Sequence, residues 1–513
     1  MKNIAGKFIN WVKNNRKEAI ILGIILLVAA ICRLYRIDQY MTFLGDEGRD
    51  AIIARRIFTE LHPPLIGPGT SVGNLYLGPL YYYMMAPALL IANFSPVGPA
   101  VQIALLGVIT VGFVWYVGRK WFNTTAGLIA AGLFAISPTV IYYSRSSWNP
   151  NIMPFFALLT IYSVWKFWHE GKCNWLIVTG LAFAAVLQSH YLGLLLAPTI
   201  FIFWLLTYFK SKKTKEVKVF IGKSLIGLVG FIALMSPLFF FDVRHNWMNA
   251  KSMYTFLAGS QTTVSVSPLT AIPKLPGVIN LFSSSVVAAK NTTGAVVASI
   301  VLIGAIIWIF AANYLKKKSF KIPDQYWLIF SWIGFGILGF GLYKQSIYDH
   351  YFGFIFPVPF LLIGILITGL ITSGKLLKWL GFALLVYLII INLIANPLLK
   401  SPHRFLQGSV NASKTIEKYS GGKPFNLAII ADNNYEAGYE YFLLKDNYPV
   451  IDIDAQKPET ITDQLFVVCE LLPSNKCDPT HNPKAQVANF GWSKIEGVWN
   501  VDATVVYRLV HTK

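Results

Sequence analysis

Leu75-Tyr-Leu-Gly-Pro-Leu-Tyr-Tyr-Tyr-Met-Met-Ala-Pro-Ala-Leu-Leu-Ile-Ala-Asn-Phe94 is the stretch on which the topology of this chain turns. It is apolar enough to cross a bilayer. Its cluster Tyr76 to Tyr83 also suits the aromatic belt at a membrane surface. If it spans, every later loop changes side. The positive charges decide between the two readings. With 75–94 lying in the interface, the next span is 97–117, and Arg119-Lys120 falls inside with Lys172, the Lys210–Lys218 cluster, Lys316–Lys318, Lys321 and Lys375.

Composition sets the class. The chain has 513 residues, 55% hydrophobic and 13% charged, against roughly a quarter charged in an ordinary soluble domain. Apolar runs of membrane-spanning length follow one another, so the expected fold is an all-α polytopic membrane protein. The net charge of +20 is scattered in short clusters between those runs. That is the pattern of cytoplasmic loops, and it argues against nucleic acid as a partner.

The first span is Ala19–Cys32, uncleaved because Arg33-Leu-Tyr-Arg36 follows it in place of a small-residue cleavage site. Five basic residues precede it, which puts the N-terminus inside. Spans then follow at 97–117, 124–143, and about 152–168, 174–190, 192–209, 219–241, 294–313, 325–343, 351–372 and 376–396. These make about eleven, with the C-terminus outside. The expected organisation is a membrane domain over 1–396 and an extracytoplasmic α/β domain over 397–513. The first external loop, 36–96, carries interfacial helices, and a long external loop covers 242–293. The C-terminal part holds more than half of the 24 acidic residues. Helical patterns there lie near 404–419 and 436–445, and β-like runs at Asn426–Ile430, Val450–Ile453, Leu465–Cys469 and Thr504–Leu509. Cys469 and Cys477 are close enough to pair if this region is extracytoplasmic.

Carboxylates are otherwise sparse, which draws attention to Phe43-Leu-Gly-Asp-Glu-Gly-Arg-Asp50. Asp46, Arg49 and Asp50 share one face of a helix by their spacing, with Glu47 beside them. A helix start accounts for one acid, and Asp50 is the residue assigned to it. An acidic pair beside lipid is harder to explain so, because desolvation is costly. A carboxylate there suits a general base acting on a hydroxyl. The other polar groups that gather on the outside are Tyr142-Tyr-Ser-Arg-Ser-Ser-Trp-Asn-Pro-Asn151, then Lys344 with Asp349-His-Tyr351, then Arg244. Arg145, Lys344, His350 and Arg49 are the cations expected to bind phosphate. Asn149, Tyr351, Arg244 and His62 are further candidates for lining the site. No apolar span carries a charge near its middle, which disfavours the competing reading, a transporter or flippase for a lipid-linked glycan.

Taken together, Asp46-Glu47 after the first span, His62-Pro-Pro64 and the aromatic stretch after it, Ser144-Arg145…Asn149-Pro150, and His350-Tyr351 before Pro357 resemble the GT-C glycosyltransferases. The nearer likeness is to family 39, the protein O-mannosyltransferases and aminoarabinose lipid A transferases. The resemblance covers about the first 370 residues. It implies a polyprenyl-phosphate-linked sugar donor and transfer with inversion at the extracytoplasmic face of the plasma (inner) membrane. The acceptor hydroxyl would belong to a lipid, glycan or protein. Asp46 matches the family's catalytic aspartate and Glu47 its acidic neighbour. Relatives often carry an aspartate where Asn149 stands. That departure leaves a divalent metal unindicated, and no other cofactor is expected.

Overall fold

A computed structural model describes residues 2–70, 73, 75–256, 268–317, 322–471 and 477–512. Residues 257–267 of the long loop, and Lys318 and Lys321 of one basic cluster, lie outside the described residues. The chain starts with α1 (Lys2–Asn14), whose Trp11 packs on Trp115 with ring centres 5.2 Å apart. α2 (Arg16–Leu34) follows, then the single turn α3 (Ile37–Tyr40), α4 (Gly45–Thr59) and α5 (Leu80–Ile91). The stretch that decides the topology is thus a helix of 12 residues with Pro87 inside it. It is too short for a hydrocarbon core that needs about 20. It lies against α4, where Tyr81, Tyr82, Met85 and Leu89 share an apolar cluster with Phe43, Ala51 and Ala54.

Among the described residues six helices are long and apolar enough to cross a membrane: Val97–Trp121, Tyr191–Lys213, Val217–Arg244, Thr292–Ala311, Asp324–Leu342 and Lys375–Ile394. A seventh arises if Asp349–Ile355 and Pro357–Ile371, bent by 61°, form one span. The other four expected spans fall on helices that miss this standard. α2 carries Arg16, Lys17, Glu18 and Arg33. The 124–143 run breaks at Ser137 and Pro138 into two helices. Met153–Trp168 and Trp175–Ser189 have 16 and 15 residues. Helix Pro357–Ile371 sits at the centre, with Phe360, Leu361, Leu362, Ile363 and Ile367 almost without exposed surface.

The C-terminal segment forms a sheet of four strands in the order β1 (Asn426–Ile430), β2 (Gln464–Cys469), β4 (Thr504–His511), β3 (Ser493–Val501). β1 and β2 run parallel, and the other pairs are antiparallel. β1, at one edge of the sheet, and β2 beside it are buried on both faces, which is why they read as apolar runs. Leu427, Ile429, Phe466 and Val468 pack under helices Phe405–Ser420 and Ala437–Lys445. Ala428, Ile430, Leu465 and Val467 pack under Ala485–Phe490. The expected strand Val450–Ile453 is absent. Phe425 makes a single bridge to Val450, after which the backbone leaves the sheet. β3 is an edge strand whose residues are mostly half-exposed or exposed, and it lacks the apolar signal that marked the others. Cys469 and Cys477 are disulfide-bonded with Cα atoms 6.3 Å apart, within the usual span.

This segment is seated on α4. Phe43 meets the rings of Tyr441 and Phe442 at 5.9 and 5.4 Å, and Tyr441 Oη donates to the Phe94 carbonyl at 2.6 Å. The approach is close enough to require glycine. A Cβ on Gly48 would stand 2.3 Å from the Ala437 carbonyl oxygen, and one on Gly45 would stand 2.4 Å from the Tyr435 ring.

Candidate active site

α4 begins without a side-chain cap of its own, because Leu44 stands at the capping position. Two other groups meet its first N–H donors. Glu47 Oε2 accepts from the Leu44 backbone at 3.0 Å, while its Oε1 accepts from Thr42 Oγ1 at 2.6 Å. Asn434, reaching across from the C-terminal segment, accepts from the Gly45 backbone at 2.8 Å. Glu47 is therefore buried and bound through both oxygens, so it braces the helix start and is not an open acid. That corrects the sequence assignment, which gave the capping role to Asp50. Burial raises the Glu47 carboxyl above its usual range, against the pull of Thr42 and Leu44.

Asp50 has no exposed surface and takes Nε and Nη2 of Arg49 on one oxygen, at 3.0 and 2.7 Å. Burial pushes its carboxyl up to about 6, although Arg49 works in the opposite direction. For Arg49, burial by itself would lower the guanidinium. Asp50, Tyr82, Tyr435 and Asp46 outweigh it and raise the group above its ordinary value. Arg49 Nη1 donates to Asp46 Oδ1 at 2.8 Å, and Tyr435 Oη donates to the same oxygen at 2.8 Å. Asp46 is the open carboxylate of the three, with 41% of its side chain exposed.

Asp46 lines a cavity of about 390 Å³ together with Thr42, Tyr142, Tyr143, Ser146, Trp148, Tyr348, His350, Asn433, Asn434 and Tyr435. His350 stacks among Trp148, Tyr351 and Tyr143, at ring distances of 4.6, 4.6 and 6.0 Å. A second cavity of about 430 Å³ shares Tyr142 and Tyr143 with the first. Its wall carries Lys290, Lys400 and His403, with Asp349 paired to Lys290 at 2.5 Å. One cavity thus presents a carboxylate and the next presents cations, with two tyrosines between them.

Of the ten residues singled out from the sequence, Asp46, Glu47 and His350 meet at the first cavity, with Arg49 behind Asp46. Arg145 does not line either cavity. It is 2% exposed, donates to the carbonyls of Cys32 and Tyr35 at 2.6 and 2.8 Å, and lies over the Tyr40 ring. Its two terminal nitrogens are used in tying down the end of α2, so it is not placed to hold a phosphate. Asn149 is buried and donates to the Ser189 carbonyl. Tyr351 packs on His190, 4.8 Å away. Arg244 ends the helix Val217–Arg244 at an exposed position, and His62 is exposed beyond α4. Lys344 lies on an exposed segment outside both linings. No motif marks Asn434, Tyr435, Lys290, Lys400 or His403. Asn434 and Tyr435 reach α4 from 389 residues away, and the other three line the second cavity. The pair Lys400 and His403, just past the last span, is the one local signal that basic groups cluster at that edge. Among the described residues no three His, Cys, Asp or Glu side chains converge as a metal site would require.

The fold matches solved structures over almost its whole length. ArnT from Cupriavidus metallidurans in the apo state superimposes with a TM-score of 0.60, covering 98% of both chains at 13% identity. The same enzyme bound to undecaprenyl phosphate gives 0.59 over 96% of this chain and 97% of that one, at 11% identity.

The fold is that of ArnT.

The likeness extends to Archaeoglobus fulgidus AglB, an oligosaccharyltransferase solved with an inhibitory peptide and a dolichol-phosphate, with a TM-score of 0.52 at 14% identity over 89% of this chain and 70% of that one. In sequence, residues 77–236 match the family described as dolichyl-phosphate-mannose-protein mannosyltransferase. A Bacillus subtilis (strain 168) protein named "Putative mannosyltransferase YkcB" is 24% identical over 232 residues, 44% of this chain and 31% of that one. The chain therefore matches about a third of the length of that curated relative. The family match begins beyond α4, so the roles of Asp46 to Asp50 rest on geometry. With this fold and six long apolar helices among the described residues, the chain is an integral, multi-pass membrane protein.

Proposed function

We propose that the protein is an inverting glycosyltransferase that moves a sugar from a polyprenyl-phosphate donor to an acceptor hydroxyl at the extracytoplasmic membrane face. The observation that carries this reading is the pair of adjoining cavities, one lined by Asp46 and the other by Lys290, Lys400 and His403. A displacement at an anomeric carbon needs a base on one side and a stabilised leaving group on the other. Asp46 takes the proton of the acceptor hydroxyl as its oxygen attacks the anomeric carbon. The bond from that carbon to the donor phosphate breaks, and the phosphate leaves with the electron pair. A single displacement inverts the anomeric centre. Lys290 and Lys400 hold the phosphate charge that develops, with His403 beside them.

Lipid phosphates as donors accord with the undecaprenyl phosphate and dolichol-phosphate found in the solved relatives, and the mannosyltransferase matches accord with sugar transfer. The topology belongs to the same proposal: eleven crossings, the N-terminus inside, a membrane part over 1–396 and a C-terminal part over 397–513 outside. The disulfide Cys469–Cys477 supports an oxidising, external side. The test offers the purified full chain, with an envelope extract as acceptor source, a panel of undecaprenyl-phosphate hexoses and pentoses. Release of undecaprenyl phosphate with sugar attached to an extract component supports the reading. Binding of every donor with no transfer, under conditions where the protein is folded, contradicts it.

A further inference from the structure

We infer that Tyr435, on the C-terminal segment, is a positioning residue for Asp46, so that this segment completes the active site. The inference rests on the reading of Asp46 as the base. Two donors converge on Asp46 Oδ1: Arg49 Nη1 and Tyr435 Oη, each at 2.8 Å. Among the described residues no protein donor is found on Oδ2, which leaves that oxygen to receive a proton from a group entering the cavity. Fixing one oxygen by two bonds from different parts of the chain sets the plane of the carboxylate. A base held in its reactive orientation avoids reorganisation at the moment of reaction.

The brace behind Tyr435 is continuous. Asn434 Oδ1 accepts from the Tyr435 and Gly45 backbones at 2.9 and 2.8 Å, so one side chain orders the tyrosine and the start of α4. Asn434 Nδ2 donates to Glu470 Oε1 at 2.7 Å, and Tyr439 Oη donates to the same atom at 2.6 Å. Glu470 directly follows Cys469, whose disulfide to Cys477 closes that end of β2. The Tyr435 ring also fills the space a Cβ on Gly45 would need, so the contact is built into the backbone approach. Burial and the Asp46 carboxylate keep the Tyr435 phenol protonated, against the opposing influence of Arg49, so it is a donor.

The test is the split between kcat and KM in sugar transfer by the full chain, using whichever undecaprenyl-phosphate sugar the wild type turns over. The ionisable groups around Asp46 are Glu47, Arg49 and Asp50 on α4, Tyr82 on α5, Tyr435 before helix Ala437–Lys445, and Tyr142, Tyr143, Tyr348 and His350 across the cavity. Tyr435→Phe is expected to lower kcat about tenfold and to leave the donor KM within about twofold. Asn434→Ala, which slackens the same brace without touching the phenol, is expected to lower kcat with the donor KM kept. A Tyr435→Phe variant with wild-type kcat overturns the inference while Asp46→Asn is inactive. Full activity in Asp46→Asn overturns the reading of the base and this inference with it. A fall in thermal midpoint with kcat per folded molecule unchanged also overturns it, since that is what a purely structural contact would give.

Discussion

Asp50 Oδ1 accepts both Nε and Nη2 of Arg49, at 3.0 and 2.7 Å, where the carboxylate has no exposed surface. The pair ties the α4 backbone to the guanidinium that also holds Asp46. Folding raises the Asp50 carboxyl from 3.8 to about 6, so the folded protein takes up its proton more readily than the unfolded one. Its contribution to stability is therefore complete below pH 3.8 and is lost as the pH rises through about 6. Asp50→Asn should give a flatter plot of thermal midpoint against pH over that interval than the wild type. Equal slopes would contradict the assignment.

Gly48 is the point where α4 and helix Ala437–Lys445 touch by backbone alone. Gly48→Ala should force them apart, since its Cβ would stand 2.3 Å from the Ala437 carbonyl oxygen. The expected cost is about 2 kcal/mol of stability, read as a lower thermal midpoint, together with reduced transfer. Gly6, which has no atom within 4 Å of an added Cβ, should accept alanine with neither effect.

Arg145 tests the difference between a phosphate ligand and a structural clamp. Arg145→Ala should leave the Cys32 and Tyr35 carbonyls without their donors and cost about 3 kcal/mol. Arg145→Lys should restore little, because one ammonium cannot reproduce the planar fork. In the protein that remains folded, the affinity for undecaprenyl phosphate should match the wild type. Weaker binding at full thermal stability would return Arg145 to the phosphate site.

Lys290 and Lys400 should show the opposite pattern. Alanine at either position is expected to raise the donor KM about tenfold, with the thermal midpoint little changed, because both are surface residues. Binding of undecaprenyl phosphate by titration distinguishes this from a change in the acceptor. An unchanged donor affinity in the double variant would move the phosphate elsewhere.

Residue pattern carried the membrane class, the amphipathic α4 and the buried strands β1 and β2, because each follows from local hydrophobic period and length. The non-spanning α5 came from the distribution of positive charge along the chain. β3 was not legible because most of its residues are half-exposed or exposed and give no apolar run, and the apolar Val450–Ile453 makes only one bridge to the sheet. In the site, the i, i+3 and i+4 spacing put Asp46, Arg49 and Asp50 together as the structure does. The sequence could not divide the three acids into a cap, a buried partner and an open carboxylate. That division depends on Thr42, Leu44 and the approach of Tyr435 from 389 residues away. Arg145 misled for the same reason. A guanidinium near a membrane surface suits a phosphate or a pair of backbone carbonyls equally, and only packing decides between them.

In the proposed mechanism Asp46 is the base. Single-turnover transfer from the undecaprenyl-phosphate sugar that the wild type uses, measured for wild type and Asp46→Asn in folded, donor-bound protein, tests that role directly. The variant should be slower by about 10³-fold, with donor affinity retained. Equal rates would contradict it.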